Sequence, residues 1–227
     1  VGLSPNFEVF AVEEWPGIVA QQLNRRMSEH PGSKLCVATG NTTRPVYRET
    51  TITGDPEIFL LDEFGGLPSN DPARCSAMLR SALPGYGFHV PDVDSDDPAA
   101  AATEYRALID EGGLDLALVG LGGNGHLGMN EPGSTRDSVT RVVELARSTS
   151  SGALAYGATI QPSWGITIGI RELLEARELW LLVTGRHKRD ILTSVVTGAI
   201  GPDLPATFVR EHPNAFVLAD AAAAAAF

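Results

Sequence analysis

Cysteine is scarce in this chain. Cys36 and Cys75 are the only two among 227 residues, and their spacing suits neither a thiolate metal site nor a disulfide framework. Both are read as reduced thiols, which sets the expectation of a cytoplasmic protein. Histidine is sparse too. Its five copies, at 30, 89, 126, 187 and 212, form no HxH or HxxxH pair, so no metal and no other cofactor is expected. No apolar run approaches the roughly 20 residues needed to cross a bilayer. No basic-then-apolar leader is visible near the start, so neither a membrane partner nor a secretory signal is expected. Positive charge is short: 17 Lys and Arg face 28 Asp and Glu, a net of −11. That excludes the basic footprint of a sequence-independent nucleic-acid binder. It leaves an anionic small molecule open, because backbone amides and one or two cations hold a phosphate locally. The chain also lacks an internal repeat and a Pro/Gly/Ser-rich linker, so residues 1–227 are expected to form a single domain.

What is present is an alternation of strand-like and helix-like segments. Apolar residues make up 43%, ordinary for a globular chain with a full core. Strands are expected at 34–39 (KLCVAT), 57–61 (EIFLL), 114–119 (LDLALV), 165–170, 178–183 and 214–218. Helices are expected at 15–27, from 45 to 49, at 74–83, 98–111, 171–177 and 188–197, with a helix-prone alanine tail at 221–226. The order predicts an α/β fold: a Rossmann-like, doubly wound, mainly parallel sheet.

In such sheets the carboxyl ends of the strands carry the ligand site, and the informative residues fall there. The stretch 114–134, LDLALVGLGGNGHLGMNEPGS, empties a buried strand into a glycine-rich turn, then delivers His126 and, soon after, Asn130 and Glu131. A histidine, a carboxylate and two amides at one strand end suit proton transfer. Gly120 to Gly125 also matches G-x-G-x-x-G, with Glu144 near the place of a ribose-binding acid. Pro132 follows too soon for the long helix a dinucleotide site opens, and the unit lies mid-chain, so the dinucleotide reading is set aside. Thr39, Gly40, Asn41, Thr42 and Thr43 follow the first strong strand, where amides and hydroxyls suit an anion; no GK[ST] makes it a Walker A loop. Asp62 and Glu63 follow EIFLL, either as a partly desolvated base or as an acidic turn. Lys188 follows the strand ELWLLV, either as an anion contact or as an exposed charge.

Four segments, ATGNTTRPVYRE, FLLDEFGGLPSNDPARCSAML, LDLALVGLGGNGHLGMNEPGS and LLVTGRHK, occur in the same order as in glucosamine-6-phosphate deaminases, also called isomerases. The resemblance runs from about residue 34 to about residue 219 and is most specific at GHLGMNEPGS. The related 6-phosphogluconolactonases share the GxGxxGH turn and normally lack NEPG. The resemblance implies a Rossmann-like fold without a dinucleotide and the conversion of D-glucosamine 6-phosphate and water to D-fructose 6-phosphate and ammonia. By position it makes Asp62 the enolisation base, His126 the ring-opening residue and Glu131 and Asn124 its partners. Thr39, Gly40, Asn41, Thr42 and Lys188 would surround the substrate and its phosphate. Asn124 stands where many members have Asp, and an amide can orient but not exchange protons.

Three departures stand out. The stretch from Tyr47 to Asp62 is short, the lid-like segment from Thr149 to Trp164 is short, and Ala155 aligns with an arginine that reaches the phosphate in many members. Val139 and Val143 occupy positions that are basic where the family carries an allosteric site. The expected partner is thus a small sugar phosphate, with a homo-oligomer left open. The alternatives are a 6-phosphogluconolactonase-like hydrolase, which would use His126 to activate water and would not need Asp62, and a non-catalytic sugar-phosphate-binding protein.

Overall fold

The computed structural model describes residues 5–225. Its centre is a six-stranded sheet, parallel throughout, built from β1 (Asn6–Phe10), β2 (Lys34–Val37), β3 (Glu57–Leu60), β5 (Leu116–Gly120), β8 (Glu178–Val183) and β9 (Ala215–Asp220) in the order β1-β9-β8-β5-β2-β3. The doubly wound architecture expected from the sequence is present. Side chains of the inner strands alternate between two cores, as a sheet covered on both faces requires. Leu35, Val37, Ile58, Leu60, Leu116, Leu118, Trp180 and Leu182 pack beneath α1 (Trp15–Glu29), α2 (Thr43–Glu49) and α3 (Cys75–Ala82). Cys36, Phe59, Ala117, Val119, Leu179, Leu181 and Val217 face the other way, towards α4 (Pro98–Asp110), α6 (Ile170–Glu175), α7 (Arg189–Thr197) and the 3-10 helix Pro205–Glu211.

A second sheet departs from the sequence reading. It is antiparallel and has three strands, β4 (Asp62–Phe64), β7 (Trp164–Thr167) and β6 (Arg141–Glu144), in the order β4-β7-β6. The segment expected as a parallel strand at 165–170 belongs to this sheet as β7, and its end turns into α6 at Ile170. Period-two hydrophobicity marks a strand without naming its partner or direction. Two smaller expectations change as well. Lys188 lies in a 3-10 turn (Arg186–Lys188), and α7 begins one residue later. The described alanines of the tail, 221–225, form turns rather than a helix, and Ala223 and Ala224 plug the core; Ala226 lies outside the described residues. Between α2 and β3 the chain runs without a helix, which accounts for the short stretch there.

The strand order fixes where a ligand fits. From β2 the chain goes outward to β3, then returns to lay β5 on the other side of β2. The connections on either side of β2 therefore diverge above its carboxyl end and open a crevice, the switch point of a doubly wound sheet. Val37 pairs with Leu60 on one side and Leu118 on the other, so Thr39, Asp62 and Gly120 emerge at one level, each two residues beyond that rung.

Candidate active site

A cavity of about 570 Å³ occupies this crevice. Thr39 to Thr43, Asp62, Gly120 to Asn124, His126 and Lys188 line it, together with Thr184 and residues of α3 and of α5 (Arg147–Ala155). Of the residues that the resemblance made catalytic or substrate-binding, all line it except Glu131, which stands behind His126 rather than in the wall.

Asp62 owes its setting to the junction of the two sheets. Leu61 still donates its N–H to Val37 of the main sheet, at 2.9 Å, while Asp62 already pairs with Thr167 of the second. Held from both sides, its carboxyl is buried. That burial, helped by the adjacent Glu63 carboxylate, pushes its pKa up from 3.8 to about 6, against opposing pulls from the Cys75 thiol and His126. Glu63, which the sequence left equivalent to Asp62, has a different task. It is fully buried and accepts hydrogen bonds from the backbone N–H groups of Cys75 at 2.8 Å and Ser76 at 2.9 Å. Those are orphan donors of the first turn of α3, so Glu63 caps that helix. One acid is thus free to face the cavity and the other is locked into the fold.

His126 sits on the glycine turn after β5. Gly122 N–H donates to the His126 carbonyl at 3.0 Å, and Gly125 takes a φ of +81°, a conformation that favours glycine. The ring lies directly over Gly122, and a β-carbon added there would overlap it. Behind the ring, Nδ1 is 3.4 Å from Oε2 of Glu131, and the same Oε2 accepts from Asn124 Nδ2 at 2.8 Å. Asn124 Oδ1 accepts from the His126 backbone N–H at 3.2 Å, so the amide braces both members of the pair. Burial raises the Glu131 carboxyl, but the His126, Thr149 and Asn124 groups around it outweigh that and hold it at about 2. A permanently ionised Glu131 favours the Nδ1–H form of His126 and presents Nε2 to the cavity. Gly122→Ala should displace the ring and lower turnover by about 10- to 100-fold with the fold retained, the cost of a misplacement near 1 Å. Steady-state kinetics beside circular dichroism check this; unchanged turnover would show that the ring needs no such contact.

Asn130 is not part of the cavity wall. It is completely buried, its Nδ2 donating to the carbonyls of Leu127 and Ile168 at 2.9 and 2.8 Å, and its Oδ1 accepting from Arg141 at 3.0 Å. It pins the turn that carries Glu131 against β7. Glu144, the acid expected of a dinucleotide site, lies on β6 of the second sheet, exposed and opposite Trp164. The GxGxxG run opens a tight turn and no helix.

At the far end of the cavity the Thr42 and Thr184 hydroxyls lie 3.1 Å apart, and Gly40 takes a φ of +129° as the chain turns into α2. Lys188 is half-buried, and burial alone pulls its ammonium pKa down; no carboxylate among the described residues compensates it. The helix α5, with the Tyr156 that caps its end, roofs the cavity through Ser148, Thr149, Gly152, Ala153 and Tyr156, a face of helical spacing. The loop after it is anchored by Asp71, which accepts from the Thr159 N–H at 2.9 Å and hydroxyl at 2.6 Å. Ala155 points off this face and is exposed, so the position aligned with the family's arginine does not line the cavity here. Thr149, Tyr156 and Thr184 were not singled out in the sequence; isolated hydroxyls in polar segments carry no spacing signal.

Comparison with known proteins follows the same line. The family model described as glucosamine-6-phosphate isomerases/6-phosphogluconolactonase matches residues 11–218. A glucosamine-6-phosphate deaminase of Rhodopirellula baltica is 38% identical over 225 residues, covering 91% of this chain and 88% of the relative. The solved structure of a monomeric glucosamine-6-phosphate deaminase superposes with a TM-score of 0.91 at 28% identity, covering 97% of this chain and 99% of that one. A 6-phosphogluconolactonase from Thermotoga maritima shares the fold, with a TM-score of 0.76 at 19% identity over 95% of this chain and 99% of its own. With the strand order, the glycine turn and the His126–Glu131 pair in place, the chain belongs to the glucosamine-6-phosphate isomerase/6-phosphogluconolactonase family.

Proposed function

We propose that this protein is a glucosamine-6-phosphate deaminase that converts D-glucosamine 6-phosphate and water to D-fructose 6-phosphate and ammonia. The observation that carries the reading is the pairing of two differently tuned groups across one cavity: a buried Asp62 raised to about 6, and a His126 braced by an ionised Glu131. An aldose-to-ketose step needs both. His126 takes the anomeric proton and returns one to the ring oxygen, opening the pyranose. Asp62 then removes the C2 proton while the C1 carbonyl oxygen takes up a proton given up by the substrate amine, and delivers the C2 proton to C1, leaving an imine at C2 beside a C1 hydroxymethyl group. Water adds to that imine, the C–N bond breaks, and ammonia departs. Asn124 holds Glu131 and the His126 backbone and moves no proton itself. The hydroxyls and amides of Thr39 to Thr42 and the Lys188 ammonium take the phosphate, giving the ligand end to one pole of the cavity and the chemistry to the other.

A lactonase would use His126 and have no work for a desolvated Asp62, and the closer relatives carry the deaminase name. We place the reaction in the cytoplasm, where the two thiols stay reduced. No described helix is long and apolar enough to cross a membrane. We read residues 1–227 as one sugar-phosphate domain.

The test is the pH dependence of ammonia release. Asp62 acts only as carboxylate, so kcat/KM should rise through an acid limb near pH 6 and fall about tenfold for each unit below it. A rate that stays level down to pH 4.5 would remove a raised carboxyl from the mechanism.

A further inference from the structure

Tyr156 is a polar residue of the cavity roof that the mechanism above leaves without a task. Its hydroxyl hangs over the anion loop: a β-carbon added to Gly40 would lie 3.3 Å from it. Gly40 holds a φ of +129°, so the loop passes beneath the tyrosine at a glycine, the residue that this conformation and this close approach favour. Among the described residues the hydroxyl has no hydrogen-bond partner. Its place is nevertheless fixed. The Tyr156 N–H donates to the Ala153 carbonyl at 3.0 Å, Gly157 turns the chain back at a φ of +93°, and Asp71 ties down Thr159 just beyond. The half-buried ring packs against the core beneath α1, α2 and α3.

From this placement we propose that Tyr156 is a specificity-determining residue: its O–H donates to the phosphate of the sugar phosphate seated on Thr39 to Thr42 and beside Lys188. The inference rests on the deaminase reading for the ligand, and adds a donor from the roof, opposite the loop. The roof helix explains why the donor falls at this pole. Thr149, on the same face of α5, stands 3.4 Å from His126 Nδ1, where the ring opens. Tyr156 follows two turns later, about 10 Å along the helix axis. One helix face thus reaches from the proton-transfer pole to the phosphate pole, with a hydroxyl at each end. No cation of α5 lines the cavity, and Ala155 turns off this face, so a neutral O–H is what the roof can offer there. Such a donor is well suited. Hydrogen bonds to ionised oxygens are stronger than those between neutral groups. A phenol also combines an aromatic body for packing with a polar tip for the ligand. Because the ring is already held, little side-chain freedom is lost on binding. The phosphate lies far from C1 and C2, so the bond acts equally on substrate and transition state and is felt in KM.

The experiment is calorimetry on the full chain, wild type beside Tyr156→Phe, with D-glucitol 6-phosphate, which has no carbonyl and cannot turn over. Inorganic phosphate is then titrated as its competitor. Phenylalanine keeps the ring and its packing and removes only the hydroxyl. The Kd of D-glucitol 6-phosphate should rise about tenfold or more, the scale of a hydrogen bond to a charged group, and that of inorganic phosphate should rise with it. With glucosamine 6-phosphate the variant should lose kcat/KM through KM, kcat staying within about twofold. A loss confined to the sugar phosphate would mean that the hydroxyl reads the sugar, and overturns the proposal. So does a change in Kd below about threefold, a fall in kcat at constant KM, or a wild type that binds neither probe. Absence of ammonia release by wild type would sink the deaminase reading while leaving the two binding losses standing, so the two failures are separable.

Discussion

Asp62→Asn should lower the turnover of glucosamine 6-phosphate by at least about 100-fold, because the amide cannot accept the C2 proton. With fructose 6-phosphate and ammonium in D2O, wild type should wash deuterium into C1, and the variant should not. The same substitution should leave the fold as stable as wild type or more so, and the sign follows from linkage. The Asp62 pKa is raised from 3.8 to about 6 in the folded protein. Between these values the folded state binds the extra proton, so stability falls as pH rises through the window, and the penalty persists above it. About two pKa units set a ceiling of about 3 kcal/mol on what burying this carboxylate costs at neutral pH. Asp62→Asn should therefore show an equal or higher Tm than wild type at pH 8, with any advantage vanishing near pH 4. Wild-type exchange in the variant would remove Asp62 from the chemistry, and a Tm that drops at pH 8 would mean that it is a structural acid like Glu63.

Lys188→Ala carries the second large effect. The protein has a net charge of −11, so long-range steering opposes a phosphate dianion and local groups must reverse it. Lys188 supplies an uncompensated ammonium in the cavity wall, and Ala155, turned away from the cavity, supplies nothing. Its loss should weaken sugar-phosphate binding by about 1.5–3 kcal/mol, the range for hydrogen bonds to charged groups. That is about 10- to 150-fold in Kd. Binding of the unphosphorylated amino sugar should barely change. Calorimetry with both ligands separates the outcomes: equal losses, or none for the phosphorylated sugar, would make Lys188 a bystander.

The parts of the fold that were readable are those fixed by local pattern. EIFLL, LDLALV and ELWLLV are continuous apolar runs because both faces of their strands are covered, and each was placed to within a residue or two. The second sheet was not readable. Its strands have three or four residues, and one of them, Asp62-Glu63-Phe64, carries two acids. Such a strand is specified by its partners Gly165 to Thr167, a hundred residues away. β1 was missed for a similar reason: NFEVF is a short edge strand whose burial depends on β9. Within the site, His126 and Glu131 were legible because one turn delivers both. The division of labour between Asp62 and Glu63 was not, since the cap is set by a contact to Cys75 and Ser76 that no local spacing announces. Asn130 shows the converse, a residue conspicuous in the motif whose work is to lock the turn from behind.

One measurement bears most directly on the whole account: ammonia and fructose 6-phosphate quantified together after incubation of the purified protein with glucosamine 6-phosphate, beside a parallel incubation with 6-phosphogluconolactone. The expected result is ammonia and fructose 6-phosphate in equal amounts, with the lactone consumed no faster than in buffer. Accelerated lactone hydrolysis without ammonia, or glucosamine 6-phosphate bound and recovered unchanged, would contradict it.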